Sequence, residues 1–176
     1  MKNYTLPLAV FLLLIVSSCS KKKETNTIIT KIETPKVSKE TRVIGDEENE
    51  KSFKWGDVFY NVLITRKADK ELPTVKDEDG RKYYDNTIEL VLNGPKGEVC
   101  RRVFRKSDFT SYIDTRYLKP SKSALMSIAF SKVDGGNAVF LATVGSPDAM
   151  ADEYMFVRID VSKDGGVSMS KIQATE

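Results

Sequence analysis

Short runs of alternating apolar and polar residues fill the chain from residue 53 onward, and each run has the length of a half-buried β-strand. Turn residues separate them, as in 93–97, 134–137 and 163–166, where Gly, Pro, Asn and Asp cluster. The runs lie at 53–65, 84–92, 99–105, 123–133, 138–144, 154–161 and 167–172. This spacing predicts an all-β fold, an antiparallel sandwich or open barrel of about six to eight strands with one short helix.

Three segments carry more specific structural expectations. Residues 53–65 are apolar on both alternating faces, which predicts a single central or bent strand with a bulge at Gly56. Residues 66–81 are rich in charge and are expected to form a loop. Residues 107–113 place a capping serine before apolar side chains at i, i+3 and i+4 spacing. That pattern predicts one or two helical turns that plug one end of the sheet.

Residues 1–18 have the layout of a secretory signal peptide, because Lys2 precedes an apolar run at 6–16 that ends in small residues. A transmembrane helix needs about 20 apolar residues, so this run is too short to span a bilayer. The sequence Val16-Ser17-Ser18-Cys19 resembles the lipobox of bacterial lipoproteins, with Val16 at the position where Leu is commonest. The resemblance implies that Cys19 is lipidated: its thiol takes a diacylglycerol, and cleavage frees an amine that can also be acylated.

The lipobox resemblance also implies a location. Two or three acyl chains would hold the mature chain on a membrane, whereas one chain alone binds only marginally. Ser20 differs from the Asp that retains lipoproteins in the inner membrane, and the lysines at 21–23 differ from the acidic run that sends some to the outer surface. The expected location is the cell envelope, on the outer membrane and facing the periplasm.

The mature chain has room for one domain with a hydrophobic core. The expected organisation is a signal peptide at 1–18, a lipidated cysteine with a flexible tether at 19–52, and a single β domain at 53–174. Two β-favouring pieces inside the tether, 28–32 and 41–44, leave open the alternative that it adds an edge strand.

Composition excludes several classes of function. The chain has no histidine, which removes Ser-His and Cys-His hydrolases and most zinc sites. Without Lys2 there are 27 basic side chains (28 − 1) against 25 acidic ones, a near-balance that argues against a nucleic-acid partner. Once Cys19 is lipidated, Cys100 cannot form an internal disulfide and is expected to be buried in a strand. No cofactor is predicted.

One candidate site is the loop that follows residues 138–144. It carries Asp148, Asp152 and Glu153, and loops on a rigid scaffold often carry function. An ordinary Pro-Asp turn between two strands is the favoured interpretation, and the loop is the preferred site if the domain has one.

A second candidate is a basic stretch that contains Arg101, Arg102, Arg105 and Lys106. In the cell envelope such a stretch could contact anionic lipid or glycan. Strand alternation separates Arg102 from Arg101 and Arg105, so the stretch does not form one face. A solvated strand edge protected by charge is the favoured interpretation.

The acidic segment 77–80 looks like the start of a calcium-binding loop. The EF-hand pattern needs Asp at position 5, Gly at position 6 and Glu at position 12. Counting from the first aspartate, Arg81, Lys82 and Ile88 occupy those positions. The segment is interpreted as a solvated loop, and no metal site is predicted.

Four pieces carry a resemblance to a known family: Phe104-Arg105-Lys106-Ser107-Asp108-Phe109, Ser123-Ala124-Leu125, Val144-Gly145-Ser146-Pro147-Asp148 and Lys163-Asp164-Gly165. In these pieces the chain resembles small uncharacterised lipoproteins from Bacteroides-type bacteria, whose domain is of unknown function. The resemblance implies a fold and a location, and it brings no activity and no catalytic residue.

The sequence therefore predicts a lipid-anchored envelope protein that is not an enzyme. Its expected role is a non-catalytic binding or interaction module for an envelope protein or a small ligand. The alternative is a carboxylate-dependent envelope hydrolase that uses Asp148 and Asp152, and two acidic side chains about 5–10 Å apart across a groove would support it.

Overall fold

The computed structural model describes residues 39–148 and 150–172. The predicted signal peptide, Cys19 and the β-favouring piece 28–32 lie outside the described residues. Within the described part, no helix has the length and apolar character needed to cross a membrane.

Ten strands and two short 3-10 helices make up the described chain, which confirms the all-β prediction. The strands are β1 (Glu47–Trp55), β2 (Val58–Ala68), β3 (Val75–Lys76), β4 (Lys82–Tyr83), β5 (Asn86–Gly94), β6 (Gly97–Arg105), β7 (Ala124–Asp134), β8 (Asn137–Gly145), β9 (Tyr154–Val161) and β10 (Val167–Lys171). The 3-10 helices span Lys106–Phe109 and Pro120–Lys122.

Eight of the strands form two four-stranded antiparallel sheets. Sheet I has the order β1-β2-β5-β6 and sheet II the order β10-β9-β8-β7, while β3 and β4 pair as a separate small hairpin. The sheets pack face to face, with β5 against β7, and one buried cluster draws side chains from both. The fold is therefore a sandwich, since neither sheet closes into a barrel.

The core follows from the alternation in the sequence. Ile88, Leu90 and Leu92 of β5 are fully buried, as are alternate residues of β9. The rings of Phe53 and Phe130 stack across the two sheets with centroids 4.0 Å apart. Burying one such side chain contributes about 1.5–3 kcal/mol, so the inner faces hold the sheets together.

Cys100 lies buried in β6, as predicted. Burial raises the pKa of its thiol, because the charged thiolate is disfavoured away from water.

The prediction of one bent strand over 53–65 is wrong. Trp55 pairs with Val58, so Gly56 and Asp57 form the two-residue loop of a β1–β2 hairpin. Gly56 has φ +69°, a value that glycine adopts without strain. Two strands joined so tightly give a continuous apolar run, which looks like a single strand with two apolar faces.

The predicted domain start at residue 53 is too late, because β1 begins at Glu47. Residues 47–52 form the outer part of an edge strand and are exposed. Charged side chains protect such edges, so their composition resembles that of a tether. Upstream, Arg42 makes a parallel bridge with Tyr83, and the piece 41–44 therefore contacts the domain.

Two further local predictions need correction. The predicted loop 66–81 contains the end of β2 and all of β3. The predicted helix 107–113 is a single 3-10 turn that ends at Phe109. Phe109 and Ile113 are nevertheless buried in the main core, so this segment closes one end of the sandwich as expected.

The two ends of the sandwich differ in character. At one end, short loops connect β1 to β2, β5 to β6, β7 to β8 and β9 to β10; we call this the hairpin end. At the other end, β5 and β7 begin, β6 and β8 finish, and the β3–β4 hairpin lies beside the second 3-10 helix. This end also holds the buried polar side chains described below, and we call it the polar end.

Gly165, in the β9–β10 loop, has φ +86°, and a Cβ there would collide with the carbonyl oxygen of Val99. Gly136, in the β7–β8 loop, has φ +83° with nothing within 4 Å of its would-be Cβ. Gly136→Ala should therefore lower the free energy of unfolding by about 1 kcal/mol, through backbone strain alone. Gly165→Ala should lower the free energy of unfolding by about 1–3 kcal/mol more than Gly136→Ala, because the backbone at Val99 or in the loop must also move. Urea unfolding measures both, and equal losses would contradict the packing of this loop on β6.

Candidate binding site at the polar end

All the buried polar residues of the described chain lie at the polar end. They are Asp77, Asp85, Asn86, Ser123 and Ser146. A buried polar group is costly unless it is hydrogen-bonded, and the polar end supplies partners for these side chains except at Asn86 Oδ1, which has none among the described residues. Those partners define the geometry of the candidate site.

A buried ion pair between Asp85 and Lys106 is the central contact of this end. Lys106 Nζ lies 2.8 Å from Asp85 Oδ2, and the two side chains are 17% and 4% exposed. The same ammonium donates to the carbonyl oxygens of Pro120 at 2.9 Å and Ser123 at 2.6 Å. The three donors of Lys106 are therefore all used.

The carboxylate of Asp85 is equally well satisfied. Its Oδ1 accepts from the backbone N–H of Asn86 at 2.9 Å and of Leu125 at 3.0 Å. The Asn86 side-chain amide donates to the Leu125 carbonyl oxygen at 2.8 Å. Oδ1 of Asp85 thus joins β5 to the start of β7, while Oδ2 pairs with Lys106 after β6.

Strand order explains why these residues meet. Asp85 immediately precedes β5 and Lys106 immediately follows β6. Because β5 and β6 are antiparallel neighbours, the start of one and the end of the other lie at the same edge of sheet I. The start of β7 covers that edge from sheet II.

A pocket of about 400 Å³ opens beside this ion pair, and we call it the end pocket. It is lined by 72–75, Asp85, 105–107, Thr110 and 120–121. Its wall is mainly apolar, with Leu72, Pro73, Val75 and Pro120 as the apolar members. Its volume falls within the range of small-molecule sites, about 300–1,000 Å³.

Three carboxylates also converge at the polar end, around Arg81. One oxygen from each of Asp77, Asp79 and Asp148 lies within 4.8 Å of the other two. Arg81 pairs with all three, and its Nη1 is 3.4 Å from Asp77 and 3.7 Å from Asp148. The Tyr83 hydroxyl and then the carboxylates of Asp79 and Asp77 raise the pKa of Arg81. A guanidinium therefore holds the position that a cation would need.

The interpretation of 77–80 as a solvated loop is wrong for Asp77, whose side chain is 1% exposed. Asp77 Oδ1 accepts from the backbone N–H of Arg81 at 2.8 Å, and Oδ2 accepts from the Tyr83 hydroxyl at 3.2 Å. The EF-hand spacing does not predict this role for Asp77. Its partners are Arg81, at the end of the β3–β4 loop, and Tyr83, in β4.

The three acidic residues of the predicted loop site, Asp148, Asp152 and Glu153, do not all lie together. Asp148 reaches Arg81, but Asp152 and Glu153 are exposed and do not join the three-carboxylate group of the described residues. Glu153 contributes through its backbone, since its carbonyl oxygen accepts from the Ser146 N–H at 2.8 Å.

The predicted basic patch is not one surface. Arg101 is held on the outer face of sheet I by Glu89 and Glu98, each at 2.8 Å. Arg102 lies opposite the buried Leu90, on the other face of β6. Because β6 is an edge strand, both arginines lie along a charged strand edge.

The other two members of the patch, Arg105 and Lys106, line the end pocket instead. Lys106 is therefore not part of a solvated edge, since it is largely buried against Asp85.

Sequence reasoning missed Asp85 and Arg81. The only signal is an aspartate directly before an alternating strand, which does not identify a distant lysine partner.

A larger and shallower groove of about 610 Å³ lies on the outer face of sheet II. Its arginine, Arg158, is already paired with Asp160 at 2.7 Å and Asp134 at 3.1 Å. The groove therefore offers no unpaired arginine, and the end pocket is the stronger candidate.

Lys106→Met should lower the free energy of unfolding by about 3–5 kcal/mol, because it leaves the buried Asp85 carboxylate without its ammonium partner. The matched control is Arg101→Met, whose 51% exposed guanidinium makes only surface pairs and should cost less than about 1 kcal/mol. Chemical denaturation measures both. Losses that agree within error would contradict the central position given to the ion pair.

Comparison with known proteins identifies a family. A family model described as "Domain of unknown function (DUF4738)" matches residues 21–169. A search of curated proteins returned no match. The matched region covers 149 of the 176 residues and includes every residue of the polar end named above. The chain therefore belongs to the DUF4738 family, whose domain is of unknown function.

Proposed function

We propose that this chain is a lipid-anchored cell-envelope protein whose β domain is a non-catalytic binding module. The end pocket is its ligand site. The observation that carries the proposal is the pocket itself: a mainly apolar wall beside a fully hydrogen-bonded ion pair. Such a site can hold and orient a ligand without any group that must change its protonation state.

The proposed anchor rests on the sequence before the domain. Lys2, the apolar run 6–16 and the small residues before Cys19 match the needs of export and lipidation. The family match begins at residue 21, so the segment assigned to export lies outside it. By the lipobox resemblance, the outer membrane facing the periplasm is the proposed location.

The chain enters the domain at the polar end. Arg42 donates its N–H to the Lys82 carbonyl oxygen and accepts from the Tyr84 N–H, both at 2.9 Å. Nineteen residues, 20–38, separate Cys19 from the first described residue. The anchored chain would therefore join the domain at the same end as the end pocket.

The contacts of the clustered carboxylates with Arg81 favour a binding module over the hydrolase alternative. Asp77, Asp79 and Asp148 lie close enough to form a catalytic pair, but Arg81 contacts all three. The Arg81 guanidinium lies against these carboxylates, at 3.4 Å from Asp77 and 3.7 Å from Asp148, and so occupies the space that a substrate would need. A carboxylate-based hydrolysis would therefore first require Arg81 to leave.

The anchor is tested by metabolic labelling with palmitate. The wild-type protein should incorporate the label, and Cys19→Ser should lose it. Cys100→Ser is the matched control and should keep the label, because Cys100 lies inside β6. Label retained by Cys19→Ser, or absent from the wild type, would overturn the lipid anchor.

The ligand site is tested by native mass spectrometry of the lipidated protein, extracted gently from its own membranes. The native mass should exceed the denatured mass by one small ligand. Thr110→Trp, which fills the end pocket from an exposed position, should abolish the difference. Ser111→Trp, its exposed neighbour outside the pocket lining, should keep it. A wild-type chain without a bound molecule, or equal binding by Thr110→Trp, would contradict the proposed site.

A further inference from the structure

We propose that the ligand of the end pocket is a small anionic amphiphile. The carboxylate or phosphate head group of this ligand pairs with Arg105, and the apolar part of the ligand lies against Leu72, Pro73 and Pro120. This inference rests on the proposed function, in that it takes the end pocket to be the ligand site.

The charge of the pocket lining supports an anionic head group. Two cations and one carboxylate line the pocket, Arg105, Lys106 and Asp85, for a net charge of +1. Lys106 and Asp85 neutralise each other at 2.8 Å. The remaining charge is the guanidinium of Arg105, which is exposed and has no carboxylate within 4 Å among the described residues.

Arg105 is also held in position. It is the last residue of β6, and its backbone N–H donates to Asp108 Oδ2 at 2.9 Å. The backbone is therefore fixed on both sides, by the strand and by the following 3-10 turn, while the guanidinium stays available. A planar guanidinium binds carboxylate and phosphate through two parallel hydrogen bonds.

The remainder of the lining favours an apolar tail. Leu72 is half-buried and Pro73 and Pro120 are exposed, so these three residues present apolar surface to the pocket. Each CH₂ of a ligand that leaves water for such a wall favours binding. The pocket is small, about 400 Å³, so it fits a short chain or one ring rather than a whole lipid.

Other ligand charges fit the pocket poorly. A cationic ligand would need the Asp85 carboxylate, whose two oxygens are taken by Lys106 and by two backbone N–H groups. Displacing Lys106 would leave the buried carboxylate without its cationic partner, which is strongly unfavourable. A neutral apolar ligand would leave Arg105 unused.

The test is photo-cross-linking of the lipidated full chain in nanodiscs with a diazirine derivative of octanoate, followed by mapping of the labelled peptides. The label should fall on the pocket segments 72–75 and 120–121. Octanoate and octyl phosphate should compete for labelling, whereas octanol and octylammonium should compete at least about tenfold more weakly, because they lack the anionic head.

Two variants with matched controls isolate the contributions of charge and of space. Arg105→Ala should weaken labelling about tenfold or more, and Arg102→Ala should leave it unchanged, because that arginine lies on the same strand but outside the pocket lining. Thr110→Trp should abolish labelling and Ser111→Trp should not.

No labelling of the pocket segments would overturn the inference, as would equal competition by octanol and octylammonium. The variants distinguish a wrong ligand class from a wrong binding site. If octanol competes as well as octanoate, and Thr110→Trp still abolishes labelling, the pocket is a ligand site but not one for anions. If Thr110→Trp has no effect, the site itself is wrong and the proposed function fails with it.

Discussion

The buried pair of Asp85 and Lys106 organises the polar end of this protein. The ammonium joins the end of β6 to the loop before β7, and the carboxylate joins the start of β5 to the first residues of β7. Because an ion pair is tolerated away from water only when its remaining donors and acceptors are satisfied, the positions of three strands at the polar end depend on one another. The hairpin end has no such constraint. There, short loops and aromatic packing close the sandwich.

Much of the fold could be predicted from the sequence because it depends on local alternation. In β5, Ile88, Leu90 and Leu92 show the strand face directly. β1 could not be predicted in full, because its first six residues, 47–52, are exposed on both faces and have the composition of a linker. The helical signal at 107–113 was right about which side chains are buried and wrong about the length of the helix, since tertiary packing of Phe109 and Ile113 replaces a second turn.

The candidate site was less predictable, because its contacts join residues that are far apart in the sequence. Asp148 could be singled out as a loop carboxylate, but nothing near it in the chain points to Arg81 as its partner. The four basic residues of β6 and the turn after it could be listed together, yet strand geometry sends Arg101, Arg102 and Lys106 to three different environments. Arg105 keeps an accessible charge beside an apolar wall, and that combination is visible only once the strands are assembled.

We propose that the chain is anchored, enters the domain at its polar end and presents the end pocket there. A crystal structure of the lipidated protein, purified from its own membranes without added ligand, tests this account most directly. The account predicts electron density in the end pocket for a molecule whose anionic group pairs with Arg105, with the Asp85–Lys106 pair unchanged. An empty end pocket, with a ligand bound instead on the outer face of sheet II, would contradict it.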